Sequence, residues 1–517
     1  MNEVTRQKVT PENALMAAGT LLEDQWNVNC RWALANSVVF FFFAALTYAV
    51  KPESLALILI APTVFFVGSF LSFALMVRNG AVLAPLAWFV LGAGIYFGLG
   101  SVAGGLRVHP HTELIFGADI LYLTHVNLLN ASSVLIVIGV ALAFGRTRKK
   151  IQQSQNGELV ELNGFLQKVF PYTLALAAAG IYVKFTFFPI AEDLLLRSIF
   201  GKLHLFIPAC FLLLGMLWQR LNWPLKTFSL VLFILEVLNG FLALGKYQII
   251  YAALALIMGI LIKRTSWKLM FSTLALLIFV FYVLNPLITL GRAHDEYDWE
   301  KNTLATRVMI LNDAFKAILD PEAQYFAKGP HLLKFGSLKL SEMNRPQESA
   351  RAMGRRFEVA SIQGYLVNEY SKGIQGNTLS NFWLTFIPRI LWPEKPIITN
   401  FGAELHKKYF NDPGQIYSSI APTYSAEAYW NYGPLGVVLV SVLLGLVLGW
   451  LTHYSFLALL GVRPEYFIIA FPATIWACFV ESWLVSTYLG EFLIFVFMLF
   501  VSRVLLNYHV FLTTTKK

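Results

Sequence analysis

The stretch Leu55–Val77, LALILIAPTVFFVGSFLSFALMV, carries no charged side chain, and its reading decides the class of fold. An α-helix rises about 1.5 Å per residue, so this run is long enough to cross about 30 Å of hydrocarbon. An unpaired backbone polar group in that medium costs several kcal/mol, so a segment crossing it must satisfy its own hydrogen bonds as a helix. Outward from this run the pattern repeats. Spans are expected at Trp32–Val50, Ala81–Val102, Val126–Phe144, Val169–Val183, Leu203–Trp218, Thr227–Leu244, Tyr247–Ile262 and Leu269–Leu287, and again at Pro434–His453, Tyr466–Val485 and Leu489–Leu505. The apolar residues run continuously rather than alternating, which excludes a β-barrel. The expected fold class is an all-α polytopic membrane protein with about twelve transmembrane helices and one large, mainly helical periplasmic loop.

Composition agrees with this reading. Of 517 residues, 57% are hydrophobic and 14% charged, and 13 Trp and 21 Tyr suit aromatic belts at the two membrane surfaces. The formal charge of +10 could suggest a polyanion partner. However, about 18 of the basic residues fall on the inner side of the expected topology, against about six in short outer turns, so most of the basicity is an orientation signal. No nucleic acid is expected as a partner. Arg78, Arg146, Arg148, Lys149, Lys150, Lys263, Arg264, Lys268, Lys516 and Lys517 mark the inside. Residues 1–30 then form a cytoplasmic segment and 31–290 the first nine helices. Residues 291–432 form the external loop, and 433–517 hold three helices and a cytoplasmic C-terminus. The odd number of crossings before the loop is what puts it outside. The polar first 30 residues are not signal-like, so the first helix is expected to be retained.

Cys30, Cys210 and Cys478 suggest neither a disulfide framework nor a metal cluster. His109-Pro110-His111 matches no ligand spacing, and the short acidic run Asp295-Glu296-Tyr297-Asp298 is weak evidence for a cation, so no metal and no cofactor are expected. HExxH, a Walker lysine loop and a GxSxG elbow are absent, which leaves metalloprotease, ATPase and α/β-hydrolase readings without support. Glu236, in the middle of an apolar helix, either packs the bundle as a hydrogen-bonded acid or faces a functional cavity.

The chemistry is concentrated in residues 381–436, NFWLTFIPRILWPEKPIITNFGAELHKKYFNDPGQIYSSIAPTYSAEAYWNYGPLG. Arg355, Arg356, Arg389 and Lys395 lie in the loop, and Lys246 sits at a tight outer turn. Arginine presents a planar fork to phosphate oxygens and lysine a compact charge, so several of them beside a bilayer suit a lipid-borne diphosphate. Neutralising a diphosphate leaving group is also the main electrostatic task of glycosyl transfer from such a carrier. The competing reading is solvated or salt-bridged surface residues, and for Lys246 a lysine snorkelling to the interface. A sugar hydroxyl needs a base, for which Glu427 comes first, then His406 and Glu404. Glu427 could instead be a helix-terminal carboxylate, and His406, between Glu404 and the pair Lys407 and Lys408, a surface histidine. Tyr417, Tyr424, Tyr429, Trp430 and Tyr432 could stack on sugar rings or form an interfacial belt.

The segment IPRILWPEKP, followed by Tyr417-Ser418-Ser419, Pro422 and EAYWNYGPLG, resembles the loop signature of bacterial O-antigen polymerases, the oligosaccharide repeat-unit polymerases. The late external loop on a many-helix chain is similar as well. The resemblance implies a GT-C-like enzyme at the outer face of the bacterial inner membrane. It would move a growing glycan from one polyprenyl-diphosphate carrier to a repeat unit on another, without a nucleotide sugar. Its partners would be polyprenyl-diphosphate-linked oligosaccharides, membrane lipid, a chain-length regulator and a flippase. The loop arginines would bind diphosphate. Related ligases, which transfer finished glycan, use arginines and a histidine, which keeps His406 in play. Lys246 stands where this family leads one to expect an arginine. The rival readings are a ligase, a non-enzymatic polysaccharide transporter or flippase, and an assembly protein.

Overall fold

The computed structural model describes residues 11–78, 82–106, 119–152, 162–186, 201–263, 268, 275, 287–288, 291–292, 294, 303–319, 357–380, 382–387, 391–392, 394–395, 401–410, 420–459 and 464–514. Among them regular structure is helical throughout, with one isolated antiparallel bridge between Thr423 and Glu481. In chain order the helices are α1 (Pro11–Val50), α2 (Leu55–Arg78), α3 (Pro85–Gly105, with a π-turn at Gly94–Leu99), α4 (Tyr122–Gln152) and α5 (Leu162–Thr186). They continue as α6 (Phe206–Leu217), α7 (Trp223–Leu242), α8 (Lys246–Lys263), α9 (Leu304–Leu319), α10 (Ala360–Ser371) and α11 (Phe401–Phe410). The last three are α12 (Tyr424–Leu459), α13 (Phe467–Cys478) and α14 (Gly490–Thr514).

Seven of these, α1 to α5, α7 and α12, are long and apolar enough to cross a membrane, while α6, α8 and α13 carry shorter apolar stretches. The chain is a multi-pass helical membrane protein. Its hydroxyl side chains are accommodated as hydrocarbon requires. Ser37, Ser132, Thr173, Ser229 and Ser455 each donate to the carbonyl four residues back, so these hydroxyls are satisfied within their own helices. Burial orders the bundle: 78% of the α3 span is enclosed against 28% of the α1 span, which makes α3 central and α1 peripheral. Phe42 and Val50 on α1, Leu71 on α2 and Ile234 on α7 point outward, as lipid-facing residues do.

Small residues set the closest helix approaches. A methyl group on Gly92 of α3 would run into the Cys478 carbonyl of α13. Gly215 of α6 and Gly259 of α8 face each other's helix backbones in the same way. On α7, Ser229, Leu232, Glu236, Asn239 and Gly240 form one buried stripe, so Glu236 lies on the packed face of the helix rather than toward lipid.

The expected spans before residue 263 coincide with α1 to α8, with shifted ends. The expected span Leu269–Leu287 lies almost wholly outside the described residues. Within the loop, the spacing of apolar residues predicts helices over Thr303–Leu319 and Arg351–Tyr370; the first is α9 and the second, from Ala360 onward, is α10. Two expectations change near the C-terminus. The span expected from Pro434 is preceded by helix from Tyr424, and the one expected to run unbroken from Tyr466 to Val485 stops at Cys478. Both departures occur at the candidate site.

Candidate functional site at a re-entrant hairpin

α12 is not a rod. Tyr432 and Gly433 have non-helical backbone angles, with φ +61° and ψ −150° at Gly433, a region open essentially to glycine. Two contacts show that the chain doubles back there. A methyl on Gly436 would meet the Ala428 carbonyl, and the Ser133 hydroxyl of α4 reaches both Tyr424 Oη (2.8 Å) and Ser441 Oγ (2.7 Å). A straight helix would hold positions 424 and 441 about 25 Å apart. Residues 424–431 and 434–459 are therefore two arms of a helical hairpin. The first arm is sunk into the bundle: Ser133 lies about 16 Å along α4 from its first residue. The polypeptide preceding the hairpin thus re-enters the layer of spanning helices.

Opposite the start of this arm, α13 breaks. Irregular backbone at this depth is tolerated where protein satisfies it, and the pairing can be followed group by group. The Tyr424 amide donates to the Val480 carbonyl, Trp483 Nε1 to the Ile420 carbonyl, and Tyr488 Oη to the Phe479 carbonyl. The amide of Leu484, which opens a π-turn at Leu484–Leu489, donates to Glu427 Oε2 at 2.6 Å. Thr378 Oγ1 donates to the other carboxylate oxygen, Oε1, also at 2.6 Å. Asn431, one turn on, donates to Thr378 Oγ1 and to the Glu427 carbonyl, and accepts from the Leu379 amide. Glu427 is thus a fastener joining three pieces of chain: the re-entrant arm, residues 378–379 and the break after α13.

A second polar layer lies deeper. Gln363 of α10 exchanges two hydrogen bonds with Asn130 of α4 and donates to Thr423 Oγ1 at 2.6 Å, while Ser425 donates to Asn130 Oδ1. All four side chains are buried. α10 follows a turn containing Glu358, itself enclosed where α3 and α4 meet: a methyl on Gly104 would meet Glu358 Oε1 at 2.9 Å and Tyr122 Oη at 3.6 Å. Glu358 Oε1 accepts the Ser361 amide, one of the unpaired donors at the start of α10. Burial nevertheless wins and pushes its carboxyl up to about 7, against the lowering effect of its hydrogen bonds to Ser361 and Ala360. Farther along α10, buried Glu369 pairs with Lys408 of α11 at 2.7 Å and with Lys372 at 3.6 Å, clamping the two loop helices together.

At the rim, four rings from four elements stand edge to face. Tyr48 of α1 packs on His125 of α4 (centroids 5.4 Å), His125 on Tyr429 of the re-entrant arm (5.6 Å), and Tyr429 on Tyr370 of α10 (5.1 Å). Trp430 lies alongside, its indole nitrogen donating to the Ile374 carbonyl, and Tyr432 at the hairpin apex is exposed.

The site residues expected from sequence fare differently. Arg355, Arg356, Arg389 and Tyr417 lie outside the described residues, and Lys246 opens α8 with its side chain outside them. Lys395 donates its ammonium to the Ile387 carbonyl at 2.9 Å. Of the three base candidates, Glu404 is exposed on α11, whereas His406 on the same helix is 3% exposed, a buried position in place of the surface one its lysine neighbours suggest. Glu427 is wholly enclosed with both carboxylate oxygens engaged, so no substrate hydroxyl reaches it in this arrangement. Tyr424 is also fully buried, packed among Phe89, Phe97 and Tyr488, and offers no face to a sugar; Tyr429 and Trp430 are partly open. Thr378, Asn431, Gln363, Asn130, Glu358 and His125 complete the site and were not singled out by sequence pattern. Asn130 and His125 in an apolar helix were its one available signal. Among the described residues no group of three or more His, Cys, Asp or Glu could hold a metal ion. Compared with family models, curated proteins and solved structures, the chain matches none.

Proposed function

We propose that the protein is a membrane glycosyltransferase of the polymerase type, which elongates a glycan carried on a polyprenyl diphosphate at the outer face of a bacterial inner membrane. The observation that carries this reading is the seating of residues 357–380 and 420–431 among the spans. These stretches of the polar loop do not stand off the spanning helices but enter the bundle beside α3, α4 and α13. A catalyst acting on a headgroup fixed at the membrane surface needs its polar residues held at that level. Arg355 and Arg356 directly precede Phe357, whose carbonyl lies against Gly100 of α3, and with Arg389 and Lys395 they supply the cations for the diphosphate. Its exposure favours Glu404 as the base, and the partly open Tyr429 and Trp430 suit an acceptor sugar. Glu427 acts as a positioning residue.

The test is purified protein in vesicles supplied with lipid-linked oligosaccharide. Lengthening of the glycan is expected, and Arg389→Ala is expected to abolish it with protein level and membrane insertion unchanged. Full-length polymer from that variant would refute the site. A deletion strain separates the related ligase reading: loss of a polymerase leaves single repeat units on the final acceptor, and loss of a ligase leaves polymer on the carrier. One observation favours a second reading. Interrupted helices such as the one broken after Cys478 recur at transporter binding sites, so movement of the carrier across vesicles without lengthening would identify a flippase.

A further inference from the structure

Within the loop, residues 382–387 and 391–392 present apolar side chains outward in a way that a water-facing segment does not. Phe382–Phe386 forms a single 3-10 turn that buries Leu384 against the protein and exposes Phe382, Trp383 and Phe386. The chain then folds tightly. Lys395 Nζ donates to the Ile387 carbonyl and the Lys395 amide to the Trp392 carbonyl, and Leu391 and Trp392 beside this turn are exposed, Leu391 at 76%. Large apolar groups clustered on one face of a short segment mark a contact surface. What covers it follows from its neighbours. The 3-10 turn packs against Leu484–Leu489, the π-turn that leads into α14, and α14 carries outward Phe497 and Phe500. That face of a helix in a multi-pass protein is met by lipid, so the patch is continuous with the lipid-facing surface. Glu394 and Lys395 form its polar edge, and Trp and Phe are the side chains that settle at the headgroup level.

We infer that the exposed side chains of Phe382, Trp383, Phe386, Leu391 and Trp392 insert into one leaflet of the bilayer at the headgroup–acyl boundary, giving the loop a monotopic lipid anchor next to the broken helix. This goes beyond the glycosyltransferase reading and stands without it. The occupant is phospholipid, not a second protein. The test places a nitroxide on Trp383→Cys, Phe386→Cys and Leu391→Cys, one at a time, in the full chain. The protein is reconstituted in phosphatidylethanolamine–phosphatidylglycerol vesicles at low protein-to-lipid ratio, and wild-type protein taken through the same labelling gives the background from the native cysteines. The three side chains lie outside the buried core, between 48% and 76% exposed, so substitution leaves that core intact. Collisions with oxygen, which partitions into lipid, are expected to exceed those with a water-soluble nickel chelate several-fold at each position. The reverse is expected at Lys372→Cys on the exposed end of α10. Dominant nickel collisions at Phe386→Cys and Leu391→Cys would place the segment in water. Exclusion of both reagents would mean that protein covers it. Either result overturns the inference.

Discussion

Glu427 accepts from Thr378 on one oxygen and from the Leu484 amide on the other, at 2.6 Å each, and both donors lie out of reach of water. Removing a partner from a buried donor costs more than the bond itself contributes, because the orphaned group keeps its desolvation penalty. Glu427→Ala is expected to lower stability by on the order of 3 kcal/mol. Glu427→Gln, which still offers an acceptor, is expected to lose less, read as midpoints of thermal unfolding in one detergent. Glu358 leads to a pH dependence. Its carboxyl is raised from 4.5 to about 7 by burial, so between those values the unfolded chain releases the proton while the folded one keeps it. Stability therefore falls as pH rises through that window, by up to about 3 kcal/mol, and levels off above it. Glu358→Gln is expected to flatten the slope while still accepting the Ser361 amide; an unchanged slope would assign the titration elsewhere. Sequence picks out Glu427 as unusual but not its partners, because Thr378 and Leu484 are ordinary residues distant in the chain. It reads His406 from its lysine neighbours, whereas burial is set by how α11 packs.

The hairpin at Tyr432-Gly433 and the break after Cys478 are two halves of one device. The first arm of α12 can be sunk among the helices because the break after α13 pairs with it, through the Thr423–Glu481 bridge, the Tyr424 amide on the Val480 carbonyl and the Leu484 amide on the Glu427 side chain. The turn itself depends on Gly433. Its backbone angles exclude other residues, and a methyl there would also strike the Tyr370 hydroxyl. Gly433→Ala is expected to cost about 2 kcal/mol or more, seen as reduced folded yield and a lower unfolding midpoint. Adding Tyr370→Phe, which removes only the hydroxyl, should not restore it if backbone strain is the cause; full recovery would put the cost on the clash instead. The sequence shows Gly433-Pro434 as a turn signal and an apolar run after it. It does not show that residues 424–431, just before that signal, form an arm sunk among the helices, since their mixed polarity is that of a surface loop.

At the scale of the molecule, the asymmetry of basic residues predicts that both ends of the chain and the short loops rich in lysine and arginine face the cytoplasm. A periplasmic-activity reporter fused near Gly336 should then be active and the same reporter at the C-terminus silent; the opposite pattern would invert the topology and remove the basis for a site outside the cell membrane. The class of protein is settled by sequence alone. An uncharged run such as Leu55–Val77 has one stable form in lipid, because hydrocarbon offers its backbone no other hydrogen-bond partner. The places where that rule is relaxed are decided only by tertiary structure. Whether Pro422-Thr423-Tyr424-Ser425 lies in water or deep among helices depends on whether residues as remote as Asn130, Gln363 and Glu481 meet its polar groups there. Such long-range pairing leaves no periodicity in the chain for a reader of the sequence to find.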